Sequence, residues 1–216
     1  MKRATVKPAP RIPRDGLTAL YNGRRAEIAA RLDDFAAVPR SGYFYELLYC
    51  LLTPQSSALN AGRVVEILRE RGFLEEGFDP APVLARKEHY IRFHTTKAAR
   101  LLAVRTEFET ISAHLSNGST SPELREWLVA NVSGLGWKEA SHFLRNIGHR
   151  GLAILDRHIL KNLVAAGVVR RLPNTLTPRR YLAIERKFTA FAREIGIPID
   201  ELDLLFWSME TGRILK

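Results

Sequence analysis

The sequence predicts an all-α fold, and three observations carry that reading. Apolar residues recur at helical rather than alternating spacing along most of the chain. Gly, Pro and Asn punctuate these runs at intervals suited to helix stops and starts. Only Ala153-Ile154-Leu155 and Val168-Val169 hint at extended backbone, and both are too short to build a sheet.

Taken in order, residues 1–14 carry five basic residues, three prolines and no acid, and predict an extended basic arm. Residues 16–35 place Leu17, Leu20, Tyr21, Ile28, Leu32 and Phe35 at mostly helical intervals. Residues 42–52 are apolar nearly all round, which predicts a central buried helix ended by Pro54. A helix over 56–71 uses Val64, Val65, Ile67 and Leu68, and a loop with Gly72, Gly77, Pro80 and Pro82 follows. A short piece near 81–87 precedes a longer helix over 95–115, begun by Thr95 or Thr96. Ser121-Pro122-Glu123 reads as cap, helix-starting proline and an acid facing the dipole, for a helix to about Asn131. The next helix runs from near Trp137 to a glycine stop at Gly148. Asp156 starts one to about Ala166, Thr177-Pro178 another to about Ile195, and Asp200 the last, with Leu202, Leu205, Phe206 and Met209 on its apolar face. The sum is about ten helices.

The 216 residues are enough for one large or two small domains with a real core. A single cysteine, Cys50, excludes an intramolecular disulfide and a metal site made of several thiolates. Apolar runs are too short for a membrane span, and no signal-peptide core follows the basic start, so the expectation is a cytoplasmic protein with no membrane partner. Net charge is +10, of which the first 14 residues supply half. Together with 25 Arg against 8 Lys, this favours a polyanionic partner such as nucleic acid, although a solvated basic surface would look the same.

Residues 132–140 read Val-Ser-Gly-Leu-Gly-Trp-Lys-Glu-Ala, between two helical patterns. Gly134 and Gly136 bracket Leu135 in a turn where one or both glycines take positive φ. Leu135 then points down to pin the helices together, and the next helix begins with unpaired N–H groups at its positive end. That arrangement binds a phosphate without touching a base, although Gly-x-Gly alone is also an ordinary helix corner.

The stretch from Asn131 to Leu160, NVSGLGWKEASHFLRNIGHRGLAILDRHIL, resembles the helix–hairpin–helix DNA glycosylase superfamily. It is most similar to the type-2, archaeal-style 8-oxoguanine DNA glycosylase/AP lyases, with weaker likeness over LLTPQSSALN (51–60) and Asp203–Lys216. In that pattern a lysine follows the hairpin and an aspartate comes about eighteen residues later, and Lys138 and Asp156 meet both conditions. The chemistry suits them. Breaking an N-glycosidic bond leaves positive charge on the sugar, which a carboxylate stabilises. An unprotonated lysine amine can attack the same carbon, and the resulting imine permits strand cleavage by β-elimination. Lys138 in the first turn of its helix meets a dipole that disfavours further positive charge. Each residue also has a plainer reading, Lys138 as a solvated surface lysine and Asp156 as a helix cap.

The resemblance implies more. Two helical lobes would flank a DNA-binding cleft: a barrel lobe over 36–150 ending in a helix–hairpin–helix at about 124–147, and a second lobe from 15–35 plus 151–216. Gly134, Leu135 and Gly136 would hold the DNA backbone. Gln55, in the loop Thr53–Ser57, would fill the gap left by an extruded base, and Trp207 and Lys216 would recognise the damaged base. Phe93 or His94 would form an opposing wall, while His142 and His158 are read as structural. The four cluster-binding cysteines of endonuclease III are missing beyond the aspartate, so no iron–sulfur cluster, other cofactor or metal is expected. The implied protein is a monomer in a prokaryotic, nucleoid-associated setting. It would flip 8-oxoguanine from double-stranded DNA, excise it through a lysine Schiff base and cleave the abasic site. A glycosylase for another lesion and a non-catalytic helix–hairpin–helix module share the hairpin, and only Lys138 with Asp156 separates enzyme from binder.

Overall fold

The computed structural model describes residues 13–214; residues 1–12, Leu215 and Lys216 lie outside it. The described residues form eleven α-helices and no strand: α1 Arg14–Ala36, α2 Tyr43–Leu52, α3 Ala58–Glu70, α4 Phe73–Glu76, α5 Ala81–Leu84, α6 His94–Leu115, α7 Ser121–Asn131, α8 Trp137–Asn146, α9 Arg157–Ala165, α10 Pro178–Glu194 and α11 Ile199–Thr211. The all-α expectation holds. Several boundaries shift for local reasons. The carbonyl of Pro13 accepts from Leu17, so α1 already begins at Arg14. Thr120, not Ser121, caps α7: its N–H and hydroxyl both donate to the Glu123 carboxylate at 2.7 Å. The segment after Gly72 contains a one-turn helix, α4, held between two left-handed glycines rather than a plain loop. Neither Thr95 nor Thr96 starts α6, which opens after a left-handed Phe93 with no capping side chain.

The chain divides into two compact units, Phe35–Arg150 and the segments on either side of it. In Phe35–Arg150, α2 is the centre. Nine of its ten residues are buried, and it packs on α3, α6 and α8. Cys50 is fully enclosed there. Phe44 meets Phe73 and Phe108 at ring distances of 6.1 and 5.0 Å. The carbonyls left at the end of α2 need donors. Buried Lys97 of α6 supplies them, its Nζ donating to Leu52 O and Pro54 O, each at 2.7 Å.

The flanking unit gathers α9, α10 and α11 around residues 151–155, of which 152–155 are buried. These residues belong to no helix or strand, and Gly151 has φ +83°, so side chains must take the place of a regular hydrogen-bond pattern. Asp200 accepts from the Gly151 N–H through both oxygens (3.1 and 3.0 Å), and Glu185 from Ala153 N–H (2.8 Å). Asp203 accepts from Ile154 N–H at 3.3 Å. The Tyr181 hydroxyl donates to Ala153 O (2.6 Å) and accepts from Leu155 N–H (3.2 Å). This wrapping aims the chain into Asp156.

Glu185→Ala should leave the Ala153 N–H unpaired inside the protein, costing about 1–3 kcal/mol. A fall in the urea midpoint at unchanged slope would record it, and an unmoved midpoint would show that the segment does not depend on this partner.

Candidate active site

The hairpin joins α7 and α8 through residues 132–136. Leu135 is 5% exposed, and its N–H bonds to Val132 O at 3.1 Å, which closes the turn and buries the side chain. Gly134 has φ +94°, and a Cβ there would lie 2.6 Å from Cδ of Arg100. Gly136 is extended, so only one of the two glycines takes the left-handed conformation. Its carbonyl accepts from Ala140 N–H (2.9 Å), and no side chain caps α8. The side chains of Ser57, Asp156 and Thr177 accept backbone N–H groups at the starts of α3, α9 and α10, whereas α2, α6 and α11, like α8, have no side-chain cap. The bare start of α8 therefore offers backbone N–H groups at the positive end of its dipole, with the Arg100 guanidinium alongside Gly134.

Lys138 is the second residue of α8, its side chain 30% exposed and its Nζ 3.0 Å from Glu139 Oε1. Lys97 lies within its electrostatic reach. Burial first, then the charges of Arg100 and Lys138, pull the Lys97 amine down to about 8, while Glu139 acts the other way. Lys97 also fixes the loop that carries Gln55, donating to Pro54 O and, at 3.1 Å, to Ser56 Oγ on either side of it. Gln55 is exposed with φ 56°. Gln55, Gly134, Leu135, Gly136 and Lys138 thus share one unit. His142 sets its ring edge-on to Tyr49, a packing role.

Asp156 and Trp207 belong to the other unit, where they meet directly. Asp156 caps α9: Oδ1 accepts from Ile159 N–H at 2.8 Å, and Oδ2 accepts from the Trp207 indole N–H at 3.1 Å. Trp207 is half-buried, with His158 edge-on at 6.0 Å and His158 paired to Glu210 at 3.3 Å. Lys216 lies outside the described residues.

Sequence reasoning did not find Lys97, Arg100 or Glu139. Their partners are a carbonyl pair, a glycine and an adjacent lysine, none of which leaves a mark in the local pattern. Phe93 does carry a signal, an exposed aromatic beside Arg92, whose guanidinium lies 4.9 Å from the ring centre. Among the described residues no group of three or more His, Cys, Asp or Glu is placed to hold a metal ion, and no helix is long and apolar enough to cross a membrane.

Comparison with known proteins identifies the family of the chain. A family profile described as 8-oxoguanine DNA glycosylase matches residues 28–197. A Fusobacterium nucleatum protein named 8-oxoguanine DNA glycosylase/AP lyase is 40% identical, covering 91% of this chain and 94% of its own. A protein of the same name from Korarchaeum cryptofilum is also 40% identical, over 80% and 82%. Among solved structures, the Methanocaldococcus jannaschii 8-oxoguanine glycosylase/lyase in complex with a 15mer DNA containing 8-oxoguanine superposes with a TM-score of 0.83. It is 32% identical, over 94% of this chain and 99% of that one. The Thermotoga maritima 8-oxoguanine DNA glycosylase gives a TM-score of 0.81 at 28% identity, over 94% and 98%. With a profile spanning most of its length and relatives this similar, the chain belongs to the 8-oxoguanine DNA glycosylase family.

Proposed function

We propose that the chain is a bifunctional 8-oxoguanine DNA glycosylase/AP lyase in which Lys138 is the nucleophile and Asp156 the stabilising carboxylate. The observation that carries this reading is the position of Lys138, one residue inside the uncapped helix that follows the hairpin glycines. A phosphate held on the N–H groups of that turn would bring the neighbouring sugar to the amine. Gly134, Leu135 and Gly136 hold the backbone, with Arg100 as an added phosphate contact.

Duplex DNA buries its bases, so 8-oxoguanine must first be turned out of the stack. Gln55 fills the gap it leaves. Lys138 attacks the anomeric carbon only as a neutral amine, so its ion pair with the Glu139 carboxylate 3.0 Å away has to be given up before attack. As the glycosidic bond breaks, electrons leave with the base and positive charge grows on the sugar. The Asp156 carboxylate, fixed by one N–H on each oxygen, faces no reorganisation when that charge appears. Ring opening gives an imine between Nζ and the sugar carbon. Loss of the adjacent sugar proton then expels the 3′ phosphate, and water releases the enzyme. Trp207, anchored through its indole N–H, supplies a stacking face for the base, and the terminal Lys216 polar contacts to it. With one cysteine in the sequence, the enzyme works without an iron–sulfur cluster, as a monomer on the cell's DNA.

Borohydride trapping on an 8-oxoguanine duplex tests the nucleophile. Lys138→Gln should lose the trapped adduct and excise at least roughly a thousandfold more slowly, about 4 kcal/mol in barrier, while duplex binding stays near wild type. Trapping at the wild-type level would remove Lys138 from the chemistry.

Asp156→Asn keeps an oxygen for the Ile159 N–H but turns an amide donor towards the Trp207 N–H. Excision should fall by roughly a hundredfold or more, with a stability loss on the order of 1 kcal/mol from the two opposed donors. Trp207→Phe separates the effects, because it removes the bond but not the charge. Its excision loss should be much smaller, and a Trp207→Phe defect equal to that of Asp156→Asn would refute a role for the carboxylate charge.

A further inference from the structure

Among the described residues, two that are not glycine hold left-handed backbones: Gln55 at φ 56° and Phe93 at φ 59°. Both are exposed, and they sit in different loops. A left-handed residue with a side chain costs on the order of 1–2 kcal/mol and persists only where its surroundings over-determine it. Here a single residue holds both. The Lys97 ammonium, on a residue 3% exposed, donates to Leu52 O, Pro54 O and Ser56 Oγ, which clamps the peptides on either side of Gln55. The Lys97 backbone N–H bonds to Phe93 O at 2.9 Å, closing the first turn of α6 on the second strained residue. Ser56 completes the link: its hydroxyl oxygen also accepts the N–H of Arg92, next to Phe93, at 3.0 Å. A second tie joins the loops where Asn60 Nδ2 donates to Tyr90 O at 3.1 Å.

A buried ammonium is an expensive way to fasten two loops if stability is the only return. An apolar side chain of similar volume could fill the site but would leave Leu52 O, Pro54 O and Ser56 Oγ without this donor. What the ammonium provides, and an apolar side chain cannot, is a fixed direction for three acceptors at once. We propose that Lys97 is a positioning residue for base extrusion, locking the Gln55 and Phe93 loops into one rigid tip that enters the duplex at the lesion. The inference rests on the glycosylase reading above and assigns Lys97 no contact with substrate. A loose tip would fill the gap poorly, so the extruded state would be less populated while the chemistry at Lys138 stayed intact. The defect should therefore scale with the work of breaking the lesion's base pair.

The test compares wild type, Lys97→Met and Ser56→Ala on 8-oxoguanine paired with cytosine and on 8-oxoguanine opposite an abasic spacer, where no pair has to be broken. Single-turnover excision and melting temperature are measured on each protein. Lys97→Met should lower the melting temperature, slow excision from the paired lesion by tenfold or more, and stay within about threefold of wild type opposite the spacer. Ser56→Ala, which leaves the lysine in place, should show the same split at smaller size, and it serves as the readout if Lys97→Met does not fold. Equal losses on both substrates, or no loss on the paired lesion, would overturn the proposal. Failure of the wild-type protein to excise 8-oxoguanine from either duplex would instead overturn the glycosylase reading beneath it.

Discussion

Unpaired backbone amides govern the unit that carries Asp156. A chain that emerges from one helix and runs through a core outside any helix or strand has to satisfy each N–H and C=O, and with no strand beside it only side chains can do so. Asp200, Asp203, Glu185 and Tyr181 therefore sit inside the protein facing residues 151–155. Their spacing on α10 and α11 fixes how those helices pack, and the exit of the segment fixes where α9 begins. Asp156 then both ends this run and caps the helix. Four buried polar groups thus help to set the direction of the Asp156 carboxylate.

The other unit solves the complementary problem with a cation. An apolar helix such as α2 packs well but ends with carbonyls that nothing apolar can satisfy. Lys97 meets them from α6. Arg100, one turn further along α6, lies over Gly134 of the hairpin. One helix face therefore braces both the loop with Gln55 and the turn before Lys138. The electrostatic consequence is a cluster of Lys97, Arg100 and Lys138, with the Glu139 carboxylate offsetting part of its positive charge at Lys97.

Local signals were the ones that could be read from the sequence. The hairpin glycines, Lys138 in a first turn, Asp156 as a cap and the apolar α2 all depend on residues within a few positions of one another. Thr177-Pro178 likewise reads correctly because cap and proline are adjacent. The misreadings arise where a distant or unusual partner decides. Glu123 reaches back to Thr120 and moves the cap of α7 by one residue. Phe93 opens α6 from a conformation that aromatic residues rarely adopt, so the threonines after it were the more natural guess. Residues 153–155, hinted at as extended, form no strand, and the acids that bind their backbone lie 32 to 49 residues away. Nothing in a local window announces them.

The enclosure of Cys50 in α2 has a chemical consequence. Thiol oxidation needs an accessible sulfur, and Cys50 is fully enclosed. The proposed reacting groups are an amine and a carboxylate, which peroxide leaves alone. A catalyst that repairs guanine damaged by oxidants meets its substrate when those oxidants are abundant, and the one thiol of this chain is held out of their reach.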